Sequence, residues 1–319
     1  MPDPCVVGVD MGGTKLLAGA IDETLTVRHR AHRTLAGLDQ DALLDIAVDA
    51  VEEIRAASRV PILAYGFGIP ATIDRRRGVA IQAVHLPLHD VPFAAVMGER
   101  LGLPVVVDND ANVAALAEHR AGAAKGTRDS VTLTLGTGIG SGLVLDDRLY
   151  RGATGAGGEL GHMVIDLDGP VCPCGNRGCL EAIVSGTALA RDGREAAARE
   201  PRSALGRALA EGNEITGALV TDLAHAGDSA AREVVERAGA ALGVGIANIA
   251  NVLEPEVVVI GGGVIGAGEL LLEPARDELK RRALAPARDT VRVVAAHFGA
   301  EAGMIGAALL AFEYVGAMG

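Results

Sequence analysis

The chain has 319 residues, 49% of them hydrophobic but only 2% aromatic and none Trp, so its cores must close-pack Ala, Val, Leu and Ile rather than rings. That length exceeds the usual single core and predicts two domains. With 29 Lys and Arg against 41 Asp and Glu, the net charge of −12 argues against a surface built to neutralise nucleic-acid phosphates, and no apolar run reaches the roughly 20 residues of a membrane span, so neither partner is expected.

Met1-Pro2-Asp3-Pro4 lacks the basic start and apolar core of a signal peptide, which predicts a cytoplasmic protein. Cys5 to Val9 is an apolar run, Asp10-Met11-Gly12-Gly13-Thr14-Lys15 is a tight turn, and Leu16 to Ile21 is apolar again: a strand, a glycine hairpin and a strand. Two adjacent glycines let the N–H groups of Gly12 and Gly13 approach a phosphate. Thr14 adds a hydroxyl, and Asp10 at the strand end can hold magnesium directly or through water. Lys15 either reaches a phosphate or stays solvated. The spacing of a Walker loop is absent.

Asp41 to Ala57 carries apolar residues at helical spacing, and Ile62 to Ile69 is a buried strand stopped by Pro70. Val105-Val106-Val107 is a further strand that runs into Asp108-Asn109-Asp110-Ala111-Asn112, with a helix from Val113 to Arg120. Ligands in open α/β sheets bind at the carboxyl ends of strands, which places Asn109 and Asp110 where substrate chemistry belongs. Asp and Asn are also the preferred helix N-caps. That role is assigned to Asn112 or Asp108, leaving Asp110 for chemistry.

Val131 to Leu145 repeats the first pattern, with Gly136-Thr137-Gly138 opening its turn, about 125 residues after the first hairpin. Two such hairpins suggest a duplicated architecture, each half offering a backbone phosphate clamp. A glycine-dense run, Gly155 to His162, then leads to Cys172-Pro173-Cys174-Gly175-Asn176-Arg177-Gly178-Cys179-Leu180-Glu181. Three of the four cysteines lie within eight residues, and in a reducing compartment they indicate a metal rather than disulfides. His162, Cys172, Cys174 and Cys179 can close a tetrahedral zinc site. Four protein ligands leave no open position, so that zinc is structural. Glu159 and Glu181 flank it, while Cys5 is expected to be a buried apolar residue.

Ser229 to Val252 is one long helix, and Val257 to Ile260 is a strand entering Gly261-Gly262-Gly263-Val264-Ile265-Gly266. The run formally matches G-x-G-x-x-G, but only about 50 residues follow, too few for a Rossmann half-domain, and a glycine turn against an adenosine face fits better. Val291 to Ala296 is the last strand and Gly303 to Tyr314 the last helix. The expected division is a smaller α/β domain over residues 1–122 and a larger one over 123–302 holding the zinc loop, with the helix of 303–319 packing back on the first.

These motifs, in this order, resemble the ROK family of sugar kinases over almost the whole chain. Asp10 to Lys15 looks like its first phosphate motif, Gly136-Thr137-Gly138 like its second and Gly261-Gly262-Gly263 like its adenosine motif. Gly158-Glu159-Leu160-Gly161-His162 with the three cysteines looks like its zinc signature. The resemblance implies an α/β fold of two actin-like ATPase (RNase H-like) domains around an interdomain cleft, working with ATP, Mg2+ and a structural Zn2+ as a homodimer. It implies that Asn109 binds the sugar and Asp110 is the catalytic base, and that Glu159, His162 and Glu181 grip sugar hydroxyls. Paired carboxylates suit a polyol, because they accept hydrogen bonds from adjacent hydroxyls.

Two stretches depart from family glucokinases: Pro70-Ala71 stands for Pro-Gly, and His85-Leu86-Pro87-Leu88 for an Asn-Leu-Pro-Trp-like stretch. Both border the sugar pocket in the family, so the acceptor stays open among glucose, fructose, an N-acetylhexosamine and a C7-cyclitol. Some ROK proteins are sugar-responsive repressors with a helix-turn-helix ahead of the first strand; here only about five residues precede it, and a kinase is expected.

Overall fold

A computed structural model describes residues 4–83 and 86–318; His85 lies outside them. The first half runs β1 (Cys5–Met11), β2 (Lys15–Asp22), β3 (Val27–Thr34), α1 (Gln40–Ala57), β4 (Ile62–Ile69), β5 (Ala71–Asp74), β6 (Val79–Ala83), β7 (His89–Val91), α2 (Phe93–Leu101), β8 (Val105–Asn109) and α3 (Asp110–Ala121). The second runs β9 (Ser130–Leu135), β10 (Ile139–Leu145), β11 (Arg148–Tyr150), α4 (Leu180–Val184), α5 (Gly186–Arg199), α6 (Ala204–Ala210), α7 (Gly217–His225) and α8 (Ser229–Leu253). It closes with β12 (Val257–Gly261), α9 (Glu269–Arg282), α10 (Ala287–Thr290), β13 (Arg292–Ala295) and α11 (Ala302–Met318).

Two five-stranded sheets result, with orders β3-β2-β1-β4-β8 and β11-β10-β9-β12-β13. In each, the first three strands are antiparallel neighbours and the rest pair in parallel. The duplication suggested by the two glycine hairpins is therefore a duplication of whole sheets. Between them in the chain, β5, β6 and β7 form a small antiparallel sheet that the hydrophobic pattern did not announce. No helix among the described residues is long and apolar enough to cross a membrane.

Aliphatic packing dominates both cores. Leu43, Leu44, Val51 and Ile54 of α1 bury against one face of the first sheet together with Phe67 and Phe93, whose rings meet edge to face. α8 and α9 cover the second sheet through Leu242, Ile246, Leu271 and Leu279. Helix α11 returns to the first sheet, where Met304, Ile305 and Ala308 join Val6 and Ala64 in one cluster. The fit depends on missing side chains: a Cβ on Gly8 would collide with the Met304 carbonyl, and one on Gly66 with the Ala307 carbonyl.

The chain crosses between the sheets twice, after α3 and before α11. One carboxylate holds both crossings. Glu118, fully buried on α3, accepts from the N–H groups of Ala123 at 2.8 Å and His297 at 3.0 Å through Oε2, and from Phe298 N–H at 2.9 Å through Oε1. Replacing it by Gln keeps the volume but turns an acceptor into a donor facing donors. Each buried group left unsatisfied costs about 1–3 kcal/mol, so Glu118→Gln should lower the denaturation midpoint clearly. An unchanged midpoint would show that these bonds do not hold the crossings.

Candidate functional site

The two glycine turns are shaped by their own hydrogen bonds. Gly12 N–H donates to the Lys15 carbonyl at 2.8 Å and Gly136 N–H to the Gly138 carbonyl at 2.9 Å, so neither is left for a phosphate. Of the four glycine N–H groups expected to clamp phosphates, Gly13 and Gly138 remain, beside the exposed Thr14 and Thr137. Lys15 is exposed at the same turn.

The third turn meets the second. Gly262 has φ +82°, a left-handed conformation that favours glycine, and a Cβ there would collide with the Leu135 carbonyl just before Gly136. Gly186, the first residue of α5, donates its N–H to the Gly136 carbonyl at 2.8 Å, and Thr187 Oγ1 donates to the Thr137 carbonyl at 2.8 Å. The turn at Gly136, the start of α5 and the Gly261-Gly262 corner thus form one backbone-lined surface.

Asp10, next to last in β1, lies against the first turn of α11, where a Cβ on Gly303 would sit 2.5 Å from Asp10 Oδ2. Burial, and then the charge of Asp110, push the Asp10 carboxyl up to about 7. Two carboxylates from separate elements therefore face one space. A divalent cation beside Asp10 would offset that electrostatic penalty, so the Asp10 carboxylate suits Mg2+.

Asp110 is the first residue of α3, and Asn109 is its N-cap: Asn109 Oδ1 accepts from Ala111 N–H at 2.9 Å and Asn112 N–H at 3.2 Å. This corrects the assignment of the cap to Asn112 or Asp108. The strand ends two residues later than its apolar run suggests, so Asn109 holds the extended backbone a cap requires, with φ −63° and ψ 145°. Its Nδ2 points to the Ala71 carbonyl at 3.4 Å. Asp108 and Asn112 instead bond each other at 3.0 Å, and Asp108 also pairs with Arg151 at 2.6 Å. Helix α3 lies directly on β10, because Gly140 and Gly142 offer no side chain: a Cβ on Gly140 would sit 2.9 Å from Ala111 Cβ. The start of α3 is thereby brought onto the strand that follows the second glycine turn.

The knuckle gathers His162, Cys172, Cys174 and Cys179 so that their four ligand atoms lie within 4.8 Å of one another. His162 Nδ1 is 3.7 Å from Cys172 Sγ, and Cys174 Sγ is 3.7 Å from Cys179 Sγ. A tetrahedron with zinc–sulfur bonds of about 2.3 Å has edges of roughly 3.8 Å, so the spacing fits zinc. Burial pushes the Cys172 thiol up to about 12, a state a bound cation would overturn by favouring thiolate. Since Nδ1 faces the sulfurs, Nε2 is the nitrogen free to carry a proton.

Glu181, on α4, fastens this knuckle to the second glycine turn. Its Oε2 accepts from Ile139 N–H at 2.8 Å and its Oε1 lies 3.7 Å from Cys172 Sγ. Glu159 is exposed, and its carbonyl accepts from His162 N–H at 3.1 Å, setting the short helical turn between them. That turn is held from below by Ser141 of β10, which donates to the Gly158 carbonyl and accepts from Leu160 N–H at 3.0 Å. Ser141 and Arg151 went unmarked in the sequence. One is hidden in a glycine run, and the other is a lone cation whose partner lies 43 residues earlier.

Residues 6–313 match the sequence profile of the family described as ROK family. The chain is 35% identical over 311 residues to a glucokinase of Streptomyces coelicolor, covering 96% of this chain and 97% of that one. It is 36% identical over 310 residues to an N-acetylmannosamine kinase of Citrobacter koseri, covering 96% and 98%. A crystal structure of a ROK family glucokinase from Streptomyces griseus in complex with glucose and AMPPNP superposes with a TM-score of 0.87 at 34% identity, covering 97% of this chain and 99% of that one.

Proposed function

The chain belongs to the ROK family, and we propose that it is an ATP-dependent kinase of a hexose or hexose-like polyol, with Asp110 as the base. The observation that carries this reading is the Glu181 link. Glu181, two residues after Cys179 of the knuckle, accepts from Ile139 N–H at the end of the second glycine turn, and α3, which begins at Asp110, packs on the strand that follows it.

Asp110 accepts the proton of the acceptor hydroxyl as its oxygen bonds to the γ-phosphorus and the bond from phosphorus to the ADP oxygen breaks. Asn109, capping α3, orients the base and borders the acceptor near Ala71. Glu159 and Glu181 accept hydrogen bonds from acceptor hydroxyls, and His162 donates from Nε2. Gly13 and Gly138 offer N–H groups, and Thr14 and Thr137 hydroxyls, to the phosphates; Gly261 and Gly262 shape the adenosine face, and Lys15 stands beside the first clamp. Asp10 would hold magnesium, which supplies charge neutralisation on the phosphates. His162, Cys172, Cys174 and Cys179 would hold a structural zinc that keeps the acceptor groups in place. The cleft lies between a domain of residues 1–122, completed by 303–319, and one of 123–302.

Glucose is one acceptor among several. The identities to a glucokinase and to an N-acetylmannosamine kinase are nearly equal, at 35% and 36%. Ala71, whose carbonyl meets Asn109, adds a methyl where family glucokinases have glycine. ADP release measured over glucose, fructose, N-acetylhexosamines and cyclitols should single out one acceptor by at least about tenfold in kcat/KM, the effect of about 1.4 kcal/mol of discrimination. If no acceptor raises ADP release above the ATP-only rate while the protein binds operator-like DNA with strong salt dependence, the kinase reading gives way to a sugar-responsive regulator.

A further inference from the structure

Arg151 follows β11 of the second sheet and Asp108 lies in β8 of the first, so their contact crosses from one half of the molecule to the other. The contact is a two-point fork: Arg151 Nε reaches Asp108 Oδ2 at 2.7 Å and Nη2 reaches it at 2.6 Å. The Asp108 side chain is 2% exposed and that of Arg151 18%. Asp108 Oδ1 accepts from Asn112 Nδ2 at 3.0 Å, and Arg151 Nη1 donates to the Leu149 carbonyl at 3.2 Å.

Burying two charges in this way rarely stabilises a fold more than well-packed apolar side chains of the same size would. What the pair supplies is position. Asp108 immediately precedes Asn109-Asp110. The Arg151 carbonyl accepts from Gly157 N–H at 2.9 Å, closing the loop that delivers Glu159 and His162. A Cβ on Gly155 of that loop would collide with the Ile73 carbonyl of β5, so the loop passes directly against β5 of the first half. On its outer side Arg151 borders an open hollow of about 300 Å³ lined also by Arg75, Leu116 and Arg120.

Resting on the kinase reading above, we infer that Arg151 is a positioning residue. Through Asp108 it sets the height of the base, through its carbonyl it sets the loop of the acceptor-gripping residues, and so it fixes the distance between the two. It touches neither substrate.

Arg151→Met, Asp108→Asn and the double variant test this. A displacement of about 1 Å at the reacting atoms can cost about 100-fold in rate. The expected result is that kcat/KM for the acceptor falls on that order in all three, while KM for ATP and zinc content stay near wild type. Thermal stability should drop in each single variant, which leaves one charge buried alone, and recover in the double variant. Because the double variant folds without either charge, it separates position from stability: low acceptor kcat/KM in a stable double variant supports the inference, and wild-type kcat/KM there overturns it. Wild-type protein inactive on every acceptor would instead defeat the kinase reading.

Discussion

Replacing Asp110 by Asn should lower kcat by about 100- to 10,000-fold, the range a positioned general base contributes, and leave sugar and nucleotide binding near wild type. The substitution leaves the cap of α3 in place. The cap of α3 is Asn109, which already satisfies the N–H groups of Ala111 and Asn112. An Asn carbonyl at position 110 can still accept from Ala111 N–H, as Asp110 Oδ1 does at 2.9 Å. The amide cannot take a proton from an attacking hydroxyl. Removing its charge also relieves the repulsion that, after burial, raises the Asp10 carboxyl, so nucleotide binding should not suffer. Turnover equal to wild type would remove Asp110 as the base.

The second large effect should follow Cys174→Ala. Its side chain is exposed, whereas Cys172 and Cys179 are buried, so removing this thiol opens no core cavity and isolates the loss of metal from the loss of packing. Purified wild type should hold about one zinc per chain and the variant almost none, since structural zinc binding is worth on the order of 10 kcal/mol. The knuckle should then lose its hold on His162 and Glu181. Acceptor KM should rise, or kcat fall, by at least about tenfold, with a smaller change in ATP KM because the glycine turns close on their own hydrogen bonds. A zinc-free wild type with full activity would remove the metal from the account.

Much of this architecture was legible in local signals. Apolar runs broken by glycine turns located β1, β2, β9 and β10, and the Cys spacing located the knuckle in which Cys174 Sγ and Cys179 Sγ stand 3.7 Å apart. The contacts that turn these parts into a site were not legible, because they join residues far apart in the chain. Asp108 to Arg151 spans 43 positions, and Glu118 to His297 and Phe298 spans 179 and 180. A charged residue in an unremarkable stretch carries no signal of its partner until the sheets bring the two together. The cap of α3 was misplaced for a narrower reason. Four of the five positions after Val107 are cap-type residues, and only the strand's true end, two residues past its apolar run, selects Asn109. The small sheet of β5, β6 and β7 escaped because its strands are only four, five and three residues long.

The account stands most directly on the chemical fate of the γ-phosphoryl group. Phosphorus NMR of zinc-loaded protein turning over MgATP with its preferred acceptor should show one sugar phosphomonoester formed per ADP, with little inorganic phosphate. Inorganic phosphate as the sole new phosphorus product with every hexose, N-acetylhexosamine and cyclitol would contradict it.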